Sequence, residues 1–391
     1  VTRFDADVVI VGGGPAGTST ALHLTRAEGI APERVAIFDR ARHPREKPCA
    51  GAVSAWGLAA LDAIGVPLDV PSVPMDGLRI LIGGAAGATS GTPLGVVVRR
   101  SEFDASLWRR AGEAGVVARD GEGIVAIERI AGGFRVTTAR RAITTRLLAI
   151  CDGAGSTARK LLAIREPARK GHLYVLETPY VTADAGPRAG LCDFDLSPAD
   201  EGLEGYYWDF PTVIDGAPHV SRGIYHANFT PRRDVKQALG RALARRGIAL
   251  DDVSLKPFST RPFVEGTTLA IDGAVLVGEA AGIDAATGEG IAQAILLGGI
   301  AAHHLARTLR LGGARLDAYA DDVRRARVGR HLLQSAWLAR AVYGARGAGW
   351  RRFLLRSSRA REAGARWYCG TRLPWPTKAR LAAGLVRELV V

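Results

Sequence analysis

The rhythm of hydrophobic and polar positions changes three times along the chain. Near the start, a run of β-branched residues (Val8, Val9, Ile10, Val11) has no polar interruption and stops at glycines 12, 14 and 17. It reads as a strand. A helix-like stretch follows from Thr18 to Arg26, then a second apolar strand from Arg34 to Phe38, ending at Asp39. Residues 54 to 64 read as a helix with Ser54 as N-cap. Residues 101 to 114 read as another, capped by Ser101, with Phe103, Leu107 and Ala111 on one face. Strands are expected at 78–82, 94–98, 123–130, 133–138 and 143–150. The last runs into Cys151-Asp152-Gly153-Ala154-Gly155-Ser156.

From about 166 to 262 the texture becomes alternating and aromatic-rich (172–182, 203–210, 219–228), with one helix at 232–246. This predicts an inserted antiparallel sheet with a helix on it. The first texture then resumes. Thr268–Ile271 and Ala274–Val277 read as strands, followed by Gly278-Glu279-Ala280-Ala281-Gly282 and a long helix from about 289. Beyond about 315 the pattern is helical, with a break at 370–376. The expected class is α/β in three parts. A discontinuous first domain spans 1–165 plus 263–315, an inserted sheet domain 166–262, and a helical C-terminal region 316–391.

The opening segment carries chemistry. Glycines at 12, 14 and 17, between a strand and a helix, with Asp39 closing the next strand, form the dinucleotide-binding fingerprint in its required context. Gly12 permits the tight turn, Gly14 lets backbone approach a pyrophosphate, and Gly17 lets helix and strand pack closely. Unpaired N–H groups and the helix dipole converge where the pyrophosphate sits. Asp39 is placed to accept hydrogen bonds from ribose hydroxyls.

Composition narrows the class. The chain has 391 residues and is 47% hydrophobic, enough for a large folded core. No run reaches the roughly 18 apolar residues of a spanning helix. Ile291–Leu305 comes nearest, but it carries Gln293, Gly298, Gly299, His303 and His304 and reads as a buried helix. No leader of signal-peptide type is visible, and the four cysteines (49, 151, 192, 369) form no C-x-x-C pair. A reducing cytoplasm is therefore expected, without zinc or a disulfide framework. The histidines show no metal-ligand spacing. Net charge is +13, and from residue 301 onward 19 Lys/Arg face five Asp/Glu. Only six of the 52 basic residues are Lys, so one reading is a solubilising helical face in an Arg-rich chain. The other is attraction to an anionic membrane surface, the site of a peripheral contact. No nucleic-acid-binding motif appears, and no nucleic-acid partner is expected.

A second small-residue bend, Val277-Gly278-Glu279-Ala280-Ala281-Gly282, precedes Thr287-Gly288-Glu289-Gly290-Ile291 at a helix start. Such a bend lets backbone approach a ribityl–phosphate chain, and the helix N-terminus faces an anionic ring edge. Together with the first fingerprint and the Asp152-Gly153 turn, it resembles the para-hydroxybenzoate-hydroxylase-like FAD proteins, and among them the geranylgeranyl reductase family. Lys47-Pro48-Cys49-Ala50-Gly51 is similar to that family's K-P-C-G-G segment beside the flavin. Tyr206-Tyr207-Trp208-Asp209-Phe210-Pro211 matches its Y-x-W-x-F-P pattern over the flavin. The resemblance covers roughly residues 5 to 310. The chain departs from the pattern at Glu279 (usually Asp), Ala286 (usually Pro) and Ala50 (usually Gly).

The resemblance implies non-covalent FAD held by Gly12, Gly14, Pro15, Ala16, Gly17, Asp39, Arg40, Pro48, Cys49, Ala50, Arg100, Gly278, Glu279, Gly288, Gly290 and Ile291. Arg100, from the R-x-x-F-D segment, is expected on the pyrophosphate or adenine side. Cys49 lies at the active site, either as a small packed residue or as a redox or proton-donating group tuned by Arg45 and Lys47. Tyr206, Trp208 and Phe210 share one strand face as the wall of an apolar substrate pocket. No second GxGxxG is present, so electrons come from transiently bound NAD(P)H or a protein donor. The implied reaction is hydride transfer from flavin N5 to a carbon–carbon double bond of a prenyl, polyene or other apolar substrate. The alternative is a monooxygenase of secondary metabolism. A halogenase fits less well, because Tyr206 and Phe210 replace two residues of the W-x-W-x-I-P segment of halogenases on this fold. A flavin-bound electron carrier is the non-enzymatic alternative.

Overall fold

A computed structural model describes residues 4–165, 170–231 and 234–390, with the backbone alone for Val390. Two sheets organise it. The first has a parallel core in the order Ala274–Leu276, Ala142–Ile150, Ala6–Val11, Val35–Phe38, Val117–Arg119. Val8, Val9, Ile10 and Leu147 to Ile150 are fully buried, in one core with helix residues and with Phe134 and Val136 of a hairpin. A short edge strand, Ala270–Ile271, and the hairpin Ile124–Ile130/Gly133–Thr138 complete it. On this sheet the helix Pro15–Arg26 packs against Ile291–Arg310. Their approach is close: a β-carbon on Gly298 would lie 2.8 Å from Ser19 Oγ, which donates to Ile295 O at 2.9 Å.

The second sheet is larger than the segment 166–262. Its order is Lys256–Thr260, Gly171–Pro179, Ala217–His226, Gly205–Ile214, Leu191–Asp195, Ser72–Ile82, Ala85–Val98, Ala52–Ser54. Residues 52–98 thus supply three of its strands. The seam is a parallel pairing in which Cys192 faces Leu78. The strands expected at 78–82 and 94–98 are the ends of longer ones, whose glycine-rich middles carry no alternating signal. Neither serine caps as expected. The helix expected at 101 starts at Arg100, with Arg99 at the N-cap position. Ser54 holds the N-cap position of Ala55–Asp62, but its hydroxyl turns to Glu289. The helix expected at 232–246 is seen as Val235–Ala244; positions 232–233 and the boundary at 166 lie outside the described residues.

Five helices follow the first domain: Asp317–Arg325, Arg327–Tyr343, Ala348–Arg356, Ser358–Tyr368 and Trp375–Val390. Arg327–Tyr343, Ala348–Arg356 and Ser358–Tyr368 cover one face of the second sheet, while Asp317–Arg325 packs on the first domain. Ala336, Ala339, Val342, Tyr343, Ala365 and Tyr368 share a core with Tyr206, Trp208 and Phe210. The other face, with Tyr207 and Ile224, packs on Val235–Ala244. Among the described residues no helix is long and apolar enough to cross a membrane.

Candidate functional site

The first glycine bend is shaped by close contact. Gly12 has φ +106°, and a β-carbon on it would sit 2.5 Å from Cys151 O. On Gly17 a β-carbon would lie 1.9 Å from Gly12 O, so only glycine lets the helix close on the strand. Gly14 is the N-cap, Pro15 opens the helix, and no side chain caps the first turn. Its N–H groups are left for an anion. The distal bend arrives at the same place. Gly278 has φ +61°, and a β-carbon there would lie 2.8 Å from Ala16 Cβ.

Asp39 stands beside this cradle. It accepts from Gly13 N and Ala41 N, both at 2.8 Å. Burial alone would raise its pKa, but the His43 ring, the Ala41 N–H and the Arg45 charge outweigh burial and hold it below the usual value. The carboxylate stays charged and keeps lone pairs for further donors. His43 stacks on Trp108 with ring centroids 4.6 Å apart, and the indole lies across Gly13. Trp108 carries no signal in the sequence beyond an ordinary helix position. Arg40 is exposed.

Arg45 lies over the cradle. Arg45 Nη2 would be 3.1 Å from a β-carbon on Gly14, and it pairs with Asp104 at 3.1 Å. Arg100 is buried, makes two 2.8 Å bonds to Asp104, and lies against the Cys49 thiol. Asp104 thus couples the cradle to the Cys49 loop. A bidentate partner holds the Arg100 fork. Cys49 Sγ accepts from Gly51 N at 3.4 Å. Lys47 is committed to Glu279 at 2.9 Å, and Glu279 Oε2 also faces Gly153. Three separate segments therefore meet at one carboxylate. A narrow cleft beside Cys49 and Ala50 is lined by Lys47, Arg99, Ser101, Ser221 and Lys256.

The loop before the long helix is pinned from the C-terminal region. Asp284 accepts from Ala286 N at 2.7 Å and Thr287 N at 2.9 Å, and it also binds His331 Nε2 at 3.0 Å and Ser335 Oγ. Burial would raise its pKa; His331 and Ser335 prevail and hold it low. Tyr206 and Tyr343 donate to Thr287 O and Ala286 O. This fixes Gly288, Gly290 and Ile291 under the aromatic strand. Glu289 is 7% exposed; its Oε1 accepts from Ala292 N at 3.1 Å, while Oε2 has no partner. Burial and then Asp284 push its pKa up to about 8, so it is a neutral acid near pH 7.

Tyr206, Trp208 and Phe210 lie on one face with Phe194, in tilted ring contacts of 5.1 to 6.5 Å. They are buried beneath the C-terminal helices. Asp284, His331 and Ser335 carry no site signal in the sequence, since each gains its place through contacts distant in sequence; Arg45, expected beside Cys49, is placed at the cradle by Asp104.

These residues fit FAD. The two bends leave a side-chain-free cradle at an uncapped helix, Asp39 stands beside it, and the buried Asp152 Oδ1 has no partner among the described residues in the turn beside Glu279. Comparison agrees. Residues 5–336 match the family model described as FAD binding domain. The menaquinone reductase of Mycolicibacterium smegmatis is 29% identical over 60% of this chain and 58% of its own length. The geranylgeranyl diphosphate reductase of Rhodobacter capsulatus is 30% identical over 52% of this chain and 51% of its own. The chain thus spans a little over half of these two relatives. A geranylgeranyl bacteriochlorophyll reductase-like protein of Thermoplasma acidophilum superposes with TM-score 0.73 at 20% identity, covering 98% of this chain and 97% of that one. A halogenase, PltM, in complex with FAD gives 0.71 at 16%, covering 99% and 85%.

Proposed function

Because the chain belongs to the FAD-binding-domain family and is thereby a flavin-dependent oxidoreductase, we propose that it reduces carbon–carbon double bonds of an apolar, prenyl-type substrate. The observation that carries this reading is the buried aromatic face of Tyr206, Trp208 and Phe210, tied by the Tyr206 hydroxyl to the loop at the start of the long helix. Likeness to menaquinone and geranylgeranyl diphosphate reductases supports the substrate class.

When bound, FAD supplies the hydride that an olefin accepts. The chain's residues do the rest. The glycine bends and the uncapped helix hold the diphosphate. The Lys47–Glu279 pair fixes the loop that brings Cys49 to the ring side. The aromatic face and the C-terminal helices exclude water from the reacting carbons. Glu289 retains a proton within the closed site at neutral pH. NAD(P)H or a protein donor supplies the electrons.

The deciding experiment is anaerobic. Protein loaded with FAD and reduced by NADPH is mixed with a geranylgeranyl olefin. Reoxidation of the flavin with formation of the saturated product is expected. Reoxidation that occurs only with oxygen, yielding a hydroxylated product, overturns the proposal in favour of a monooxygenase.

A further inference from the structure

The last helix, Trp375–Val390, shows an apolar stripe to solvent. Trp375, Ala379, Ala382, Val386 and Leu389 are spaced four, three, four and three residues apart, which places them on one side. All five are exposed: Trp375 is 78%, Val386 56% and Leu389 51% accessible. The opposite side packs on Ala348–Arg356, where Gly384 meets the Phe353 ring and Gly349 meets the Glu388 backbone, and Leu389, at the stripe's border, also touches Gly349. Both edges of the stripe are basic. Lys378, Arg380 and Arg387 are exposed along the helix, and Arg372 just before it. The helix's one carboxylate, Glu388, is turned inward to Arg352 and Arg356. Among the described residues, therefore, no acid faces outward from it.

We propose that this helix docks the protein on an anionic lipid surface, with Trp375, Val386 and Leu389 entering the headgroup–acyl boundary and the basic edges pairing with lipid phosphates. An apolar stripe between cationic flanks is the pattern of a helix lying in a membrane interface. A second copy of the chain fits the stripe less well. Two heptads are short for a coiled coil, and flanks of one sign repel each other across a self-paired seam. Docking would hold the protein where long apolar substrates reside.

The test uses the full chain loaded with FAD and vesicles of phosphatidylglycerol and phosphatidylcholine in equal parts, or of phosphatidylcholine alone. Cosedimentation with the anionic vesicles is expected, falling as salt rises. Val386→Glu/Leu389→Glu is expected to cut binding at least tenfold while the flavin spectrum is unchanged. Lys378→Gln/Arg380→Gln/Arg387→Gln is expected to abolish the preference for anionic lipid. Failure of the unmodified protein to bind, or equal binding by the Val386→Glu/Leu389→Glu variant, overturns the proposal. So does a dimer in sedimentation equilibrium that this variant converts to a monomer. Docking and olefin reduction are scored separately, so loss of one leaves the other standing.

Discussion

The Lys47 ammonium donates to the Glu279 carboxylate at 2.9 Å, joining the loop before Cys49 to the distal bend. The two side chains are only 21% and 10% exposed, so solvent screens the pair in part. Its loss is expected to cost about 1–2 kcal/mol of cofactor affinity. Lys47→Met should raise the dissociation constant for FAD about 5- to 30-fold, read from quenching of flavin fluorescence. Glu279→Gln keeps an acceptor and should cost less.

Crowding at Gly278 gives a sharper expectation. Alanine there must adopt φ +61° and press within 2.8 Å of Ala16 Cβ. Strain and overpacking together should destabilise the fold by about 2–4 kcal/mol. Gly278→Ala is expected to melt several degrees lower and to purify with less FAD, by differential scanning calorimetry and absorbance at the flavin band.

The Asp284–His331 pair is buried on both sides, at 1% and 4% side-chain exposure. His331→Ala leaves the buried carboxylate short of a ring N–H donor, at a cost of about 1–3 kcal/mol. The folded-state pKa of Asp284 lies below its ordinary 3.8, so the unfolded chain binds the proton more tightly. Its stabilisation is therefore present above pH 3.8 and is lost as pH falls through the lowered value. Acid titration of tertiary circular dichroism should show a steeper loss in the unmodified protein than in Asp284→Asn.

Glu289 has the opposite sign. Its folded pKa is about 8 against an ordinary 4.5, so the folded protein holds the proton more tightly. Stability is greatest below pH 4.5, declines as pH rises towards 8, and is flat above it. Glu289→Gln mimics the neutral acid. Urea melts at pH 6 and pH 8.5 should differ less for this variant than for the unmodified protein. An equal difference in both rules out a buried neutral Glu289.

Much of this architecture is visible in the letters. The runs 8–11, 35–38 and 147–150 are continuous and apolar, and both glycine bends sit between a strand and a helix, so local pattern and fold agree. The alternation of Tyr206, Tyr207 and Trp208 likewise assigns them to opposite faces. What escaped reading depends on distant partners. Residues 83–95 are too rich in glycine, alanine and threonine to announce strands, and pairing makes them so. Asp284 becomes a structural anchor through His331 and Ser335 on another helix. Arg45 and Arg100 look alike in sequence; only the placement of Asp104 assigns one to the cradle and the other to Cys49.

The contact between Gly278 and Ala16 also sets an order of events during synthesis. About 260 residues separate the two, so a nascent chain exposes its first cradle half well before the other half exists. FAD capture is consequently a late step, and a polypeptide halted ahead of the distal bend emerges without a complete seat for its cofactor.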